Sequence, residues 1–329
     1  MAMRSPPVGV FILGDTPPRR LVELSQSVEE KGFSELWFAE DYFKLSGFSS
    51  AAIALQATKR INVGIGAVSG RVRHPAVAAM EASTLAGAYP GRFKFAIGHG
   101  VPAWVKQMKL NPKSTLDSFR EAVTGVKRLF VGETLTEQGQ YYGYDDVQLS
   151  HPAPDLKVLG AVIGPNSIDL CAEITDGMVI SVLSGPKYVQ TVKERIASIR
   201  DARGLPREYE MVTYVLTCVG NERAEARTKL LPVTAFYLSA TGPTLMTEVY
   251  GANEKLVELI DRGGAAALEE GMPDDWYDWL GIAGEPGDCV KGIKDLFAAG
   301  ATSVVLCITP AEELATQLDL IAREVLPAL

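Results

Sequence analysis

The stretch Ser303-Val-Val-Leu-Cys-Ile-Thr-Pro-Ala-Glu-Glu-Leu-Ala-Thr-Gln-Leu318 holds a strand and a helix start in immediate succession. Its apolar, β-branched first half reads as a fully buried strand. Thr309 as N-cap, Pro310 at the first helical position and Glu312 closing a capping box then mark a helix. Leu314, Leu318, Ile321 and Val325 give that helix one apolar face. Strand followed directly by helix is the repeating unit of a parallel α/β sheet. Working outward, seven more β-rich apolar runs recur at 8–13, 35–39, 61–67, 93–98, 157–162, 178–182 and 211–219. Helix-period segments lie between them, such as Leu21, Leu24 and Val28, then Leu116, Phe119, Val123 and Val126, then Val189, Val192, Ile196 and Ile199. Eight repeats with right-handed crossovers predict a closed (β/α)8 TIM barrel, with an open doubly wound sheet as the alternative.

A chain of 329 residues, 47% hydrophobic and 22% charged, can bury a large core. It is expected to form a single domain over residues 1–329, with two insertions at about 99–150, after strand four, and 220–286, after strand seven. The second holds helical stretches at 222–240 and 253–262 and the acidic aromatic patch Pro273-Asp-Asp-Trp-Tyr-Asp-Trp279. Both follow strands, so both are expected over the C-terminal face, as lids or dimer surfaces. With 32 Lys plus Arg against 40 Asp plus Glu, the net charge is −8, which excludes a broad basic footprint for nucleic acid. No apolar run is long enough to span a bilayer and the start lacks a secretory signal, so a soluble, cytoplasmic protein is expected. Cys171, Cys218, Cys289 and Cys307 are scattered through apolar stretches like reduced core thiols. His74, His99 and His151 lack metal-ligand spacing, so no metal is expected.

Chemistry concentrates at the strand ends. Strand two ends in Glu40-Asp41, adjacent carboxylates of which one faces the barrel mouth while the other anchors the next loop or is solvated. Strand three ends in Gly64-Ile-Gly-Ala-Val-Ser-Gly70, then Arg71 and Arg73, cations suited to an anion or to surface acids. Strand four runs into Gly98-His-Gly-Val-Pro-Ala-Trp104, where glycines around His99 suit close backbone approach to a ligand. Strand five gives Gly160-Ala-Val-Ile-Gly-Pro-Asn-Ser167, and strand six Ser184-Gly-Pro-Lys187; both open helices whose first amides suit a phosphate.

Taken together, these motifs resemble the bacterial luciferase-like family of flavin and deazaflavin enzymes, in particular its F420-dependent, methylenetetrahydromethanopterin reductase-like branch. The resemblance rests on Glu30-Lys-Gly-Phe-Ser-Glu-Leu-Trp-Phe-Ala-Glu-Asp41, Thr58-Lys-Arg-Ile-Asn-Val-Gly-Ile-Gly66, Arg73-His-Pro75, Gly91-Arg-Phe-Lys-Phe-Ala-Ile-Gly-His-Gly-Val101 and Ala172-Glu-Ile-Thr-Asp-Gly177, in family order. It implies a tricyclic ring at the C-terminal mouth, backed by a non-proline cis peptide at Gly66-Ala67 or Ala67-Val68. It also implies a cofactor contacting Gly66, Ala67, Val68, Gly98, Gly100, Gly160, Gly164, Pro165 and Gly185, with its phosphate near Gly164, Ser184 and Lys187. The run from Gly98 to Trp104 is similar to that of many F420-dependent members. Two positions depart from the pattern: Asp41 stands where several members carry a histidine, and Val101 where some dehydrogenases carry a glutamate. Glu40, Asp41 and His99 are therefore the catalytic candidates.

The resemblance implies an F420-dependent oxidoreductase moving a hydride between the deazaflavin C5 and a small organic substrate. The alternatives are an FMN-dependent monooxygenase and a non-catalytic flavin-binding barrel. A homodimer is expected. Phe43, Trp104, Tyr237, Trp276 and Trp279 are aromatic candidates for a substrate pocket. An acidic chain must hold an anionic cofactor locally, through helix-start amides and cations such as Lys187, Arg71 and Arg73.

Overall fold

The computed structural model describes residues 6–329. Its strands are β1 (Val8–Ile12), β2 (Glu35–Phe38), β3 (Asn62–Ser69), β4 (Phe93–Gly98), β5 (Leu135–Gln138), β6 (Gly143–Val147), β7 (Val158–Ala161), β8 (Gly177–Ile180), β9 (Glu210–Val219), β10 (Gly281–Gly284) and β11 (Ser303–Ile308). Its helices are α1 (Leu21–Glu30), α2 (Gly47–Ala57), α3 (Pro75–Ala88), α4 (Pro102–Gln107), α5 (Thr115–Phe130), α6 (Pro165–Ile174), α7 (Pro186–Ala202), α8 (Arg223–Thr241), α9 (Leu245–Glu248), α10 (Asn253–Gly271), α11 (Tyr277–Leu280), α12 (Pro286–Ala299) and α13 (Leu314–Leu320). The order β11-β1-β2-β3-β4-β7-β8-β9 is parallel throughout and closes through β9 to β11, which makes the eight-stranded TIM barrel. All eight runs read from sequence are its staves. No helix among the described residues is long and apolar enough to cross a membrane.

Closure leaves a bore that side chains must fill. Trp37, Ala96, Leu159, Val179, Val212, Tyr214 and Val305 do so, every one of them buried. Glycines make the room: a Cβ on Gly64 would collide with the Trp37 indole, and one on Gly66 with the Tyr214 hydroxyl. A larger outer layer packs the strands on the helix ring, with the amphipathic α5 burying Phe119, Val123, Val126 and Phe130. Within the barrel, the buried Glu35 carboxylate accepts hydrogen bonds from Trp37 Nε1 (2.7 Å) and Ser303 Oγ (2.6 Å) and pairs with Lys94 (2.8 Å). These contacts tie β2, β4 and β11 together and leave no free charge there.

Three features differ from the sequence expectation. The segment at 99–150 is not one insertion: it resolves into the short α4, the barrel helix α5 and the antiparallel hairpin β5–β6. The hairpin tip is fastened beside the end of β3, where Tyr142 donates to the Gly70 carbonyl and His74 Nε2 lies 3.0 Å from the Gly143 carbonyl. The segment at 220–286 carries α8 to α11, and it also adds β10, which pairs with the far end of β9 from Leu216 to Val219. Four residues with glycine at both ends carry no periodicity from which to read that strand. The last helix also begins later than its capping signals suggest. Thr309 N–H bonds the Thr217 carbonyl of β9 and its own carbonyl accepts from Gln317 Nε2 on α13, so its backbone is held between the sheet and the body of the helix. A 3₁₀ turn over Ala311–Glu313 follows, and α13 starts only at Leu314.

Candidate active site

The ends of β2, β3, β4 and β7 surround a cavity of about 670 Å³ at the C-terminal mouth. Glu40, Asp41 and His99 line it together with Gly66, Ala67, Val68, Gly98, Gly100 and Gly164. Trp104, Asn111 and Thr115 add a wall from the segment after β4. The β3 edge is irregular here. Its register against β4 shifts between Ile65 and Val68, and the Gly66-Ala67 peptide is cis. Gly98 faces the neighbouring strand so closely that a built Cβ would stand 2.8 Å from the Ala161 carbonyl oxygen. Gly100, at φ +73°, packs on Ser69, where a Cβ would come within 2.6 Å of its Oγ. The glycines thus leave backbone, not side chains, facing the slot.

The two carboxylates of β2 divide the work. Glu40 is buried and takes a bidentate pair from Arg73 (2.8 Å for Nη2 to Oε2), with further hydrogen bonds from Gly47 N–H (3.1 Å) and Tyr42 O–H (3.0 Å). Arg73 is itself held by Phe48 beneath its guanidinium and by Glu81, 2.9 Å from its Nε. A carboxylate with four donors is an anchor that locks β2, β3 and the start of α2 in register. Asp41 has no side-chain hydrogen bond among the described residues. Its nearest cation, Lys44, is bonded instead to Asp15 at 2.5 Å. Burial raises the Asp41 pKa, Lys44 opposes the shift and Asp15 adds to it. Burial thus holds the proton on the Asp41 carboxyl to a higher pH than on an exposed aspartate.

His99 sits on the opposite wall. Its Nε2 lies 3.0 Å from Ser167 Oγ, and its ring packs edge-on against Phe119. Burial first, and then the Arg71 charge, lower its pKa to about 4, so it is a neutral imidazole that positions the first turn of α6. Its Nδ1 and the Nε of Arg71 are buried without a hydrogen-bond partner.

The remaining site candidates lie elsewhere. Gly160 faces α6, where a Cβ would strike Cys171, and does not line the cavity. Pro165 stands exposed at the start of α6. Ser184, Gly185 and Lys187 open α7 under the second insertion. Tyr250 stacks on Trp279 with centroids 4.2 Å apart, and its hydroxyl accepts from Lys187 N–H at 2.9 Å. Ser184 is buried against Met246. The insertion thus caps the α7 amides that were expected to receive phosphate. Arg73 is committed to Glu40 and Glu81, which leaves Arg71 as the cation at the mouth. Of the aromatic candidates, Trp104 lines the cavity, Phe43 is largely exposed, and Trp276 and Trp279 are buried in the insertion core. Ser69 and Ser167 escaped the sequence because each meets a partner, the His99 carbonyl and ring, that only folding brings near, whereas the Tyr42 contact with Glu40 spans just two residues.

The arrangement suits a flat tricyclic ring with an anionic side chain. It offers glycine-lined backbone walls, two orphaned buried nitrogens and one protonatable carboxyl.

A family model described as luciferase-like monooxygenase matches residues 5–303. The 5,10-methylenetetrahydromethanopterin reductase of Methanolobus tindarius is 24% identical over 302 residues, covering 90% of this chain and 92% of that protein. The enzyme of the same name from Archaeoglobus fulgidus is 26% identical over 325 residues, covering 95% and 97%. Among solved structures, the coenzyme F420 dependent tetrahydromethanopterin reductase from Methanopyrus kandleri superimposes with a TM-score of 0.84 at 21% identity, covering 98% of this chain and 99% of that one. At that identity the likeness is one of fold.

Proposed function

The chain belongs to the luciferase-like monooxygenase family, and from that premise we propose that it is an F420-dependent oxidoreductase acting on a small organic substrate. One observation carries the reading: a glycine-walled slot at the barrel mouth holds a desolvated, unpaired carboxyl, Asp41, beside a second carboxylate, Glu40, that is fully neutralised. The name of the Methanopyrus kandleri structure, a coenzyme F420 dependent reductase, supports the cofactor. When bound, a deazaflavin supplies or accepts a hydride at its C5 carbon.

The protein's own residues do the rest. Gly66, Ala67 and Val68 form one face of the slot, and Gly98 to Gly100 with Ala161 to Gly164 form its far wall. Arg71, at the edge of the slot, receives the anionic end of the cofactor, and His99 holds the first turn of α6 in place through Ser167. Asp41 holds or takes the proton that balances hydride transfer, because burial keeps its carboxyl protonated to a higher pH than an exposed aspartate. Glu40 positions Asp41 by fixing the strand end through Arg73. Trp104 shields the slot from water, packed edge-on against Tyr42.

Anaerobic single-turnover mixing of reduced F420 with candidate acceptors tests the reading, beginning with 5,10-methylenetetrahydromethanopterin. Stoichiometric oxidation of the deazaflavin without oxygen is the expected result. Oxygen-dependent turnover of reduced FMN in its place would mark a monooxygenase, and binding without turnover a non-catalytic barrel.

A further inference from the structure

Beside the mouth cavity lies a second one of about 380 Å³, between the α4–α5 connection and the tip of the β5–β6 hairpin. Arg71, Asn111 and Pro112 line both, so the second continues from the first. Three cations face it, Arg71, Lys109 and Lys113, and no carboxylate lines it. Among the described residues none of the three has an ion-pair partner. In this chain of net charge −8 the other arginines are mostly paired, among them Arg73, Arg195, Arg207, Arg223 and Arg227.

The nearby acid is already spent. Both Glu121 oxygens accept from the hairpin tip, from the N–H groups of Gln140 (3.0 Å), Tyr141 (2.9 Å) and Tyr142 (3.1 Å). The same tip is braced by Tyr141, whose hydroxyl accepts from Ser114 N–H at 2.7 Å, and by Tyr142 on the Gly70 carbonyl. The walls are therefore preformed, and the Arg71 Nε is buried without a partner. Lys109 has φ +59°, a left-handed position that glycine or asparagine usually fills, yet it carries a cation. The partly buried Arg71 guanidinium lacks a counter-charge among the described residues, which an anion in the cavity would supply.

We infer that the Arg71–Lys109–Lys113 cavity is an anion subsite for a flexible chain of phosphate and carboxylate groups, the acidic side chain of the deazaflavin cofactor. The inference rests on the F420 reading and adds the path of the tail: out over the α4–α5 connection and away from α7, whose start Tyr250 and Trp279 cover. Held there, the tail contributes to affinity and anchors the ring, while the reacting carbon stays with Asp41 at the mouth.

Equilibrium titration followed by deazaflavin fluorescence tests it, comparing complete F420 with the truncated chromophore that lacks phosphate and glutamates. The wild-type protein is expected to bind complete F420 at least about tenfold more tightly, with the advantage falling as salt rises from about 50 to about 500 mM. The Lys109→Ala/Lys113→Ala double variant, altered only at exposed side chains, is expected to lose about three- to tenfold for complete F420. Its affinity for the truncated form should not change. A Lys109→Glu/Lys113→Glu variant should enlarge the loss. Equal wild-type affinity for both forms, or equal losses for both in the variants, overturns the subsite while leaving the cofactor reading standing. If the wild-type protein binds neither form, the cofactor reading fails and takes the subsite with it.

Discussion

Replacing Glu40 and Asp41 one at a time separates an anchor from a proton donor. Glu40→Gln keeps the shape but turns one acceptor oxygen into an NH₂ donor, among four hydrogen bonds that all point inward. Arg73, half-buried, then keeps Glu81 as its one carboxylate partner. Removing one partner of a buried pair costs about 3–5 kcal/mol, and the surviving Glu81 contact puts this case at about 3–4. An unfolding entropy of about 2.1 cal/mol/K per residue gives roughly 0.7 kcal/mol/K for a chain of this length, hence a fall in Tm of about 4–6 °C.

Asp41→Asn should behave oppositely. Because burial raises the folded-state pKa above the unfolded one, the folded protein binds more protons, and ionising Asp41 erodes stability as pH rises through that window. The asparagine variant avoids this penalty, so its Tm at pH 7 should equal or exceed the wild-type value, and the difference should vanish below the ordinary aspartate pKa. Single-turnover hydride transfer in Asp41→Asn should drop about 10²–10⁴-fold, the usual contribution of a positioned general acid. Differential scanning calorimetry across pH and stopped-flow mixing make the two measurements. A Glu40→Gln protein as stable as wild type, or an Asp41→Asn protein that is both destabilised and active, would refute the division of roles.

Other expectations follow from the same geometry. Gly98→Ala places a methyl 2.8 Å from the Ala161 carbonyl oxygen, which is backbone and yields little, so it should cost about 1–3 kcal/mol and narrow the slot; calorimetry and cofactor titration both report on it. His99, held near a pKa of about 4, should remain neutral through pH 5 by NMR titration. Because the unfolded imidazole gains its proton near pH 6.5 and the folded one does not, stability should decline by roughly 2–4 kcal/mol between pH 6.5 and 4, and His99→Gln should flatten that decline. The expected homodimer gives a light-scattering mass of about twice 35.4 kDa, and a mass near that of one chain removes it.

The barrel was legible because its staves obey a local rule. Each is a short β-rich run followed by a helix-period face, and eight of these close a sheet. β10 was not, since Gly281-Ile-Ala-Gly284 has neither length nor alternation and forms only because the far end of β9 offers an edge. Thr309 shows a related limit: its N–H goes to the Thr217 carbonyl of β9, and the helix that its capping signature announces starts only at Leu314. The mouth residues stood out from glycine spacing and strand ends. The roles of the two carboxylates did not, because Arg73 lies 33 residues from Glu40 and the ring nitrogen of His99 meets Ser167 across 68. Nor does the start of α7 disclose in sequence that Tyr250, 63 residues from Lys187, will cap it. Local sequence marked the strand ends that line the mouth cavity, whereas long-range packing decided which of the expected positions are covered.

The most direct test of the central claim is a side-by-side titration of the purified protein with F420 and with FMN. Saturable F420 binding is expected, near one per chain, weakened in Gly98→Ala and Arg71→Gln and exceeding FMN affinity by at least about tenfold. Tight FMN binding with no measurable affinity for F420 would contradict it.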